Sequence, residues 1–186
     1  MAELAEKYTR RNAALLMIDY ASFQVGASFL GLTTVLPALV LLLGGTPLHV
    51  GALVAIQSGG WLLPQLFASR QLTHRPRVKN YMLLWAGVSR GAITVFPIVL
   101  FLFGVRAPGV ALVTLLLSLA GLWVGDALAS VAWFDVVGKA IPSQMRGRVM
   151  GAAQSLGSLI GIGIGVLVKL ILDRPNPFPL NHVLLM

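Results

Sequence analysis

Four ionisable residues stand inside otherwise apolar stretches of the chain: Asp19, Arg90, Asp126 and Asp135. A charge carried into a bilayer costs about 2.5 to 3.5 kcal/mol on insertion scales, so such residues persist where they pair with one another or face an aqueous path. Asp19 is followed by Ser22, Gly26 and Thr33, and at about 100° per residue these four fall on one narrow helical face. That face reads either as one wall of a solute path or as a seam where small residues let two helices approach. Arg90 lies eleven residues beyond Lys79 and Asp126 thirteen before Lys139. At ~1.5 Å per residue both then sit at similar depth, roughly 16 and 20 Å from one boundary. Equal depth permits an ion pair; the alternative has Asp126 facing a central cavity as a substrate or proton site, with Arg90 paired elsewhere. Asp135, nine residues from Asp126, is half a turn out of phase with it and lies about one turn from a basic loop, so a structural ion pair with that end is expected.

Covalent and metal chemistry find no comparable set. His49, His74 and His182 are isolated in loops or at helix ends and never paired at the spacing of a metal-binding helix. There is no nucleophile elbow, no phosphate-cradling Gly-Lys-Ser/Thr loop and no dinucleotide fingerprint. Ser58 and Ser89 lack an obvious base and read as packing residues. The absence of cysteine rules out disulfides, thiolate nucleophiles and Cys-ligated zinc or iron–sulfur centres. No catalytic residue, metal site or cofactor is therefore expected, and a membrane enzyme is the least supported reading.

The elements that must position the four charges are helices in a bilayer. Of 186 residues, 57% are hydrophobic and 11% charged, whereas a soluble domain is nearer a quarter charged. Five spans of ~20 to 25 residues would use most of the chain. The pattern predicts an all-α polytopic membrane protein: a polar segment over 1–12, a five-helix transmembrane domain over 13–172 and a tail over 173–186. Helix 1 is expected over 13–43, helix 2 over 48–69, helix 3 over 80–103, helix 4 up to 138 and helix 5 over 149–172. The breaks fall at Gly44 to Pro47, the basic stretch 70–79, the turn 104–109 and the basic loop 139–148. The tail ends in what reads as the opening turn of a sixth helix, as in a truncated frame, or as a short segment on the membrane surface.

Cations sort by loop. Lys7, Arg10 and Arg11, then Arg70, Arg75, Arg77 and Lys79, then Lys139, Arg146 and Arg148 make ten on one side, against Arg106, Lys169 and Arg174 on the other. Cations near span ends resist translocation, so the amino terminus is predicted to be cytoplasmic. The same asymmetry accounts for the net charge of +8 without invoking nucleic acid. Helix 4 carries a small-residue stripe, Ser118, Gly121, Gly125, Ala129 and Ala132, read as packing. Helix 5 has GxxxG twice, through Gly157, Gly161 and Gly165, which strips side chains from one face and predicts a tight helix interface.

The stretch Ile141-Pro142-Ser143-Gln144-Met145-Arg146-Gly147-Arg148-Val149-Met150-Gly151 resembles the corresponding loop of major facilitator superfamily transporters, as does the order of five spans with an inside amino terminus. The link Leu72-Thr73-His74-Arg75-Pro76-Arg77-Val78-Lys79 sits where that family has its basic signature loop; the cations match and the Gly and Asp do not. Trp61 to Phe67 and Phe178 to Asn181 are also similar to a bacterial branch. The resemblance implies a twelve-helix transporter of two six-helix halves, with helices 1 and 4 lining a central cavity, of which this chain matches five-sixths of the first half. It also implies that Arg75 and Arg77 pair with Asp135 and latch one conformation. The Gly-Pro pair that marks helix 5 in many antiporters is absent at Gly163-Ile164-Gly165, so antiport has no support.

The expectation is thus the amino-terminal, incomplete portion of a secondary transporter in a bacterial inner or plasma membrane. It would move an unknown small solute by alternating access and have the lipid bilayer and a missing carboxyl-terminal half as partners. A non-transporting membrane scaffold or a nonfunctional remnant is the alternative, in which the polar groups only hold helices together.

Overall fold

The computed structural model describes residues 2–72, 77–174 and 178–186, with side chains from residue 8 onward. All regular structure among the described residues is helical: α1 (Ala2–Leu30), α2 (Val35–Leu42), α3 (Pro47–Leu72), α4 (Lys79–Phe103), α5 (Pro108–Ala140), α6 (Ser143–Leu172) and the single turn α7 (Leu180–Val183). Five stretches are long and apolar enough to cross a membrane: Tyr8–Leu42, Pro47–Leu72, Lys79–Phe103, Pro108–Ala140 and Ser143–Leu172. The outward faces are apolar, with Leu62, Leu63, Leu66 and Phe67 on α3 and Leu159 and Ile162 on α6 all largely exposed. That is consistent with an integral membrane protein, whose outer surface meets lipid and whose backbone groups must be satisfied within each helix.

The first span departs from the expected continuous helix. α1 begins at Ala2, so the polar start is itself helical, and the span breaks at residues 31–34 before resuming as α2. Proline at 37 has no N–H to give the Thr33 carbonyl, and its ring would press on that carbonyl in a continuous helix. Gly31 absorbs the bend at φ +51°, where a Cβ would lie 2.6 Å from a Val35 methyl; only glycine fits. Thr33 falls in this break, so it does not continue the face of Asp19, Ser22 and Gly26.

The expected ten-residue loop between helices 4 and 5 also contracts. Only Ile141 and Pro142 lie between α5 and α6, and Arg146 and Arg148 belong to the first turns of α6. Arg146 turns back to donate from Nε to the Ile141 carbonyl at 2.9 Å and from Nη2 to the Gly138 carbonyl at 2.5 Å. A cation on the last carbonyls neutralises the negative end of α5.

α5 is the axis of the molecule: half of its most apolar window is buried, against 6% for α3. α3 and α4 pack along it, while α6 packs chiefly on α1. Glycines set the closest approaches. A Cβ on Gly125 would lie 3.0 Å from Ser89 Cα and one on Gly121 2.6 Å from Ala92 Cβ, which locks α5 onto α4. Across the other seam a Cβ on Gly157 would meet Gln24 at 2.8 Å and one on Gly161 would meet Ser28 at 3.1 Å, whereas Gly165 faces open space. The expected three-glycine interface is therefore a two-glycine one: beyond Leu30 the far turns of α6 pack through Ile164 and Val168 on Val35 and Leu185, and the Gly165 face stays open.

Apolar clusters fill both ends. Ala13, Val137, Ile141 and Val149 join α1, α5 and α6 at the basic end. Leu36, Leu39, Phe96, Leu100 and Leu115 form the main core toward the opposite end. The tail folds back onto that far end, with Leu185 buried beside Val35, Ile164 and Val168.

Candidate functional site

Between these clusters lies a layer of polar contacts. Arg90 on α4 donates from Nη1 to Asp126 Oδ1 on α5 at 2.6 Å. The same Nη1 lies 3.1 Å from Ser89 Oγ, and the Ser89 hydroxyl donates to the Leu122 carbonyl at 3.0 Å. Ser89 is fully buried, so the hydroxyl that reads as packing in the sequence also ties the guanidinium to the α5 backbone. The short turn between the helices makes them antiparallel neighbours and Gly125 brings them close enough for the pair to form.

Solvation of the two partners is unequal. The Asp126 side chain is 11% exposed and that of Arg90 49%. The guanidinium therefore closes over the carboxylate and presents its other edge outward, with Arg90 Cζ 5.6 Å from the centre of the Phe23 ring on α1. A guanidinium over an aromatic face is attracted by the ring quadrupole. α1 thus meets the charged seam through an aromatic side chain four residues beyond Asp19.

Asp19 completes the layer. Its Oδ2 accepts the indole N–H of Trp133 on α5 at 2.8 Å. Tyr20 stacks obliquely on Trp133 with ring centres 6.0 Å apart, and its hydroxyl donates to Gln154 Oε1 on α6 at 3.2 Å. Two carboxylates and one guanidinium thus sit among three aromatic rings where α1, α4, α5 and α6 converge. Asp19 itself is exposed and carries no cationic partner among the described residues.

The sequence brought Asp19, Arg90 and Asp126 forward and missed Phe23, Trp133, Tyr20 and Gln154. A signal for Trp133 exists: it lies seven residues from Asp126, two helical turns on and on the same face of α5. Nothing in the spacing of Gln154 marks it, because its partner Tyr20 comes from the other end of the chain.

Other expected residues fall elsewhere. Asp135 pairs with Lys139 on its own helix at 2.5 Å, and no ion pair joins it to Arg77 among the described residues. Arg75, the other expected latch cation, lies outside the described residues, as does His74. An i,i+4 partner needs no second element to be positioned, so the local cation takes the carboxylate. Of the remaining histidines, His49 Nδ1 accepts the Thr46 N–H at 3.1 Å at the start of α3, a capping role. No three His, Cys, Asp or Glu converge on a metal-sized site among the described residues. No family model, no curated protein and no solved structure matches this chain.

Proposed function

We propose that this chain is the membrane-embedded part of a secondary transporter that moves a small solute past the Asp19, Arg90 and Asp126 layer by alternating access. One observation carries the reading: Arg90 is half exposed in mid-span while its partner is buried, beside an exposed Asp19 that no cation neutralises among the described residues. Charges in a bilayer left half open are characteristic of groups that face an aqueous path. Apolar clusters at both ends of the layer supply the two seals that alternating access requires. α1 and α6 pack mainly on each other, and α3 and α4 mainly on α5, and alternating access would come from rocking this half against a second one about the layer. The resemblance of residues 141–151 to a major facilitator loop points the same way and makes a second helical half the expected partner. The cation distribution supports a cytoplasmic amino terminus, and the resemblance to a bacterial branch suggests an inner or plasma membrane location.

The chain has no cysteine, so single-cysteine variants report cleanly. Ser22→Cys and Thr94→Cys, one turn from Asp19 and Arg90, are expected to react with a membrane-impermeant maleimide in proteoliposomes, while Leu62→Cys on the outer face of α3 does not. Protection of all three positions from both sides would leave a scaffold, in which the charges only join helices, as the better account.

A further inference from the structure

A second polar concavity lies away from this layer, at the end of the molecule opposite the basic loops. Its volume is about 410 Å³, and its lining includes Ser28 and Thr34 from the broken first span, Lys169 and Asp173 from α6 and its carboxyl cap, and His182 from the tail. Val35, Ala38, Val168 and Leu172 form its apolar wall. The size falls within the range of small-molecule sites.

Ser28 gives its hydroxyl to the Gln24 carbonyl at 2.8 Å, while the other polar groups of the lining keep hydrogen-bonding capacity. Lys169 and Asp173 are one turn apart with opposite charges, yet they form no ion pair among the described residues. At the start of α2 the Leu36 N–H is already donated to the Gly31 carbonyl at 3.1 Å and Pro37 has no N–H, so what that helix end offers the cleft is the Thr34 hydroxyl, which makes no capping bond. His182 is only 8% exposed, and its tautomer follows from its neighbours. Asn181 Oδ1 accepts the His182 backbone N–H at 2.9 Å, which identifies that atom as an acceptor. Nδ1, 2.8 Å from the same oxygen, must then be the protonated nitrogen. Nε2 is left with a lone pair and no protein donor among the described residues. Burial also holds the imidazole below its ordinary pKa, so the ring is neutral at pH 7.

These groups divide by charge. Lys169, with the Thr34 hydroxyl beside it in the lining, attracts an anion; the Asp173 carboxylate and the Nε2 lone pair attract a group with both positive charge and N–H donors. We propose that this cleft binds a zwitterion made of a primary ammonium and a phosphate or carboxylate, the ammonium on Asp173 and His182 and the anion on Lys169 and the Thr34 hydroxyl. A quaternary ammonium has no N–H to offer Nε2, and a purely anionic group leaves Asp173 opposed. The apolar wall beside the polar rim, at a helix end, suits an aminophospholipid whose chains run down the α2 and α6 surfaces; a soluble zwitterion offers the same headgroup chemistry.

Native mass spectrometry of the full chain, released from bilayers with equal parts phosphatidylethanolamine, phosphatidylcholine and phosphatidylglycerol, tests the site. The ethanolamine lipid is expected to be retained preferentially. Asp173→Asn and Lys169→Ala should each lower that retention about tenfold, the loss of one charge-assisted hydrogen bond. Both positions are exposed, so the melting temperature should hold, and Asp135→Asn serves as an unaffected control. Displacement by free phosphoethanolamine assigns the site to a soluble zwitterion; retention against it assigns the site to the lipid. Equal retention of all three lipids, unchanged in Asp173→Asn and Lys169→Ala and undisturbed by phosphoethanolamine, overturns the proposal.

Discussion

Two ion pairs of nearly equal length hold α5. Arg90 reaches Asp126 at 2.6 Å and Lys139 reaches Asp135 at 2.5 Å, but their surroundings set them apart. The first joins residues 36 positions apart on two helices and has one partner almost wholly withdrawn from solvent. The second is a single-helix i,i+4 contact with side chains 61% and 38% exposed. Length alone therefore says nothing about what a pair contributes; the solvation of the group left behind decides it. Removing Lys139 returns Asp135 to solvent at the helix end, whereas removing Arg90 strands Asp126 among helices.

The largest expected effect follows directly. Arg90→Ala and Asp126→Ala should each cost about 3 to 5 kcal/mol, while the double variant should lose less than the two together, because no lone buried charge remains. A double-mutant cycle on thermal stability in detergent reads the coupling, and additive losses would erase the difference between the two pairs.

A smaller effect tests the seam that makes the buried pair possible. Gly125→Ala pushes a methyl to 3.0 Å from the Ser89 backbone and should cost about 1 to 3 kcal/mol as overpacking. Gly165→Ala, with open space at its Cβ, should be neutral or mildly stabilising, since alanine is the better helix former. Melting temperatures of the two variants separate a packed glycine from a permissive one. Equal shifts would mean that the close approach at Ser89 does not hold the charges together.

The smallest effect belongs to the exposed pair. Asp135→Asn should change stability by no more than about 0 to 1 kcal/mol, and less at high salt. A loss comparable to that of Asp126→Ala would show that Asp135 is bound more tightly than its Lys139 contact explains.

Much of the architecture is written in local pattern. Apolar run length, cation placement and turn residues locate five helical stretches, and the matched depths of Arg90 and Asp126 follow from a rise of ~1.5 Å per residue. Break positions are less legible. A bend at Gly31 needs the combined effect of a permissive glycine and a proline six residues on, and hydropathy runs smoothly through both. A contact of Asp135 with Lys139 on its own helix is legible from the i,i+4 spacing, whereas a latch to Arg75 or Arg77 depends on where a loop lies, and Arg75 falls outside the described residues.

The sequence by itself determined that these helices are apolar outside, that few charges lie inside and at what depth, because length and hydropathy are properties of single segments. Only the tertiary structure decided which charge meets which. Asp126 finds Arg90 because Gly121 and Gly125 let α4 and α5 close; Asp19 meets Trp133 of α5 and no cation among the described residues; and Gly165 opens onto a cleft, whereas Gly157 and Gly161 meet α1. Each of these outcomes depends on the rotation and approach of two helices distant in the chain. No single segment encodes that relation, and small residues fix it only once both faces are in contact.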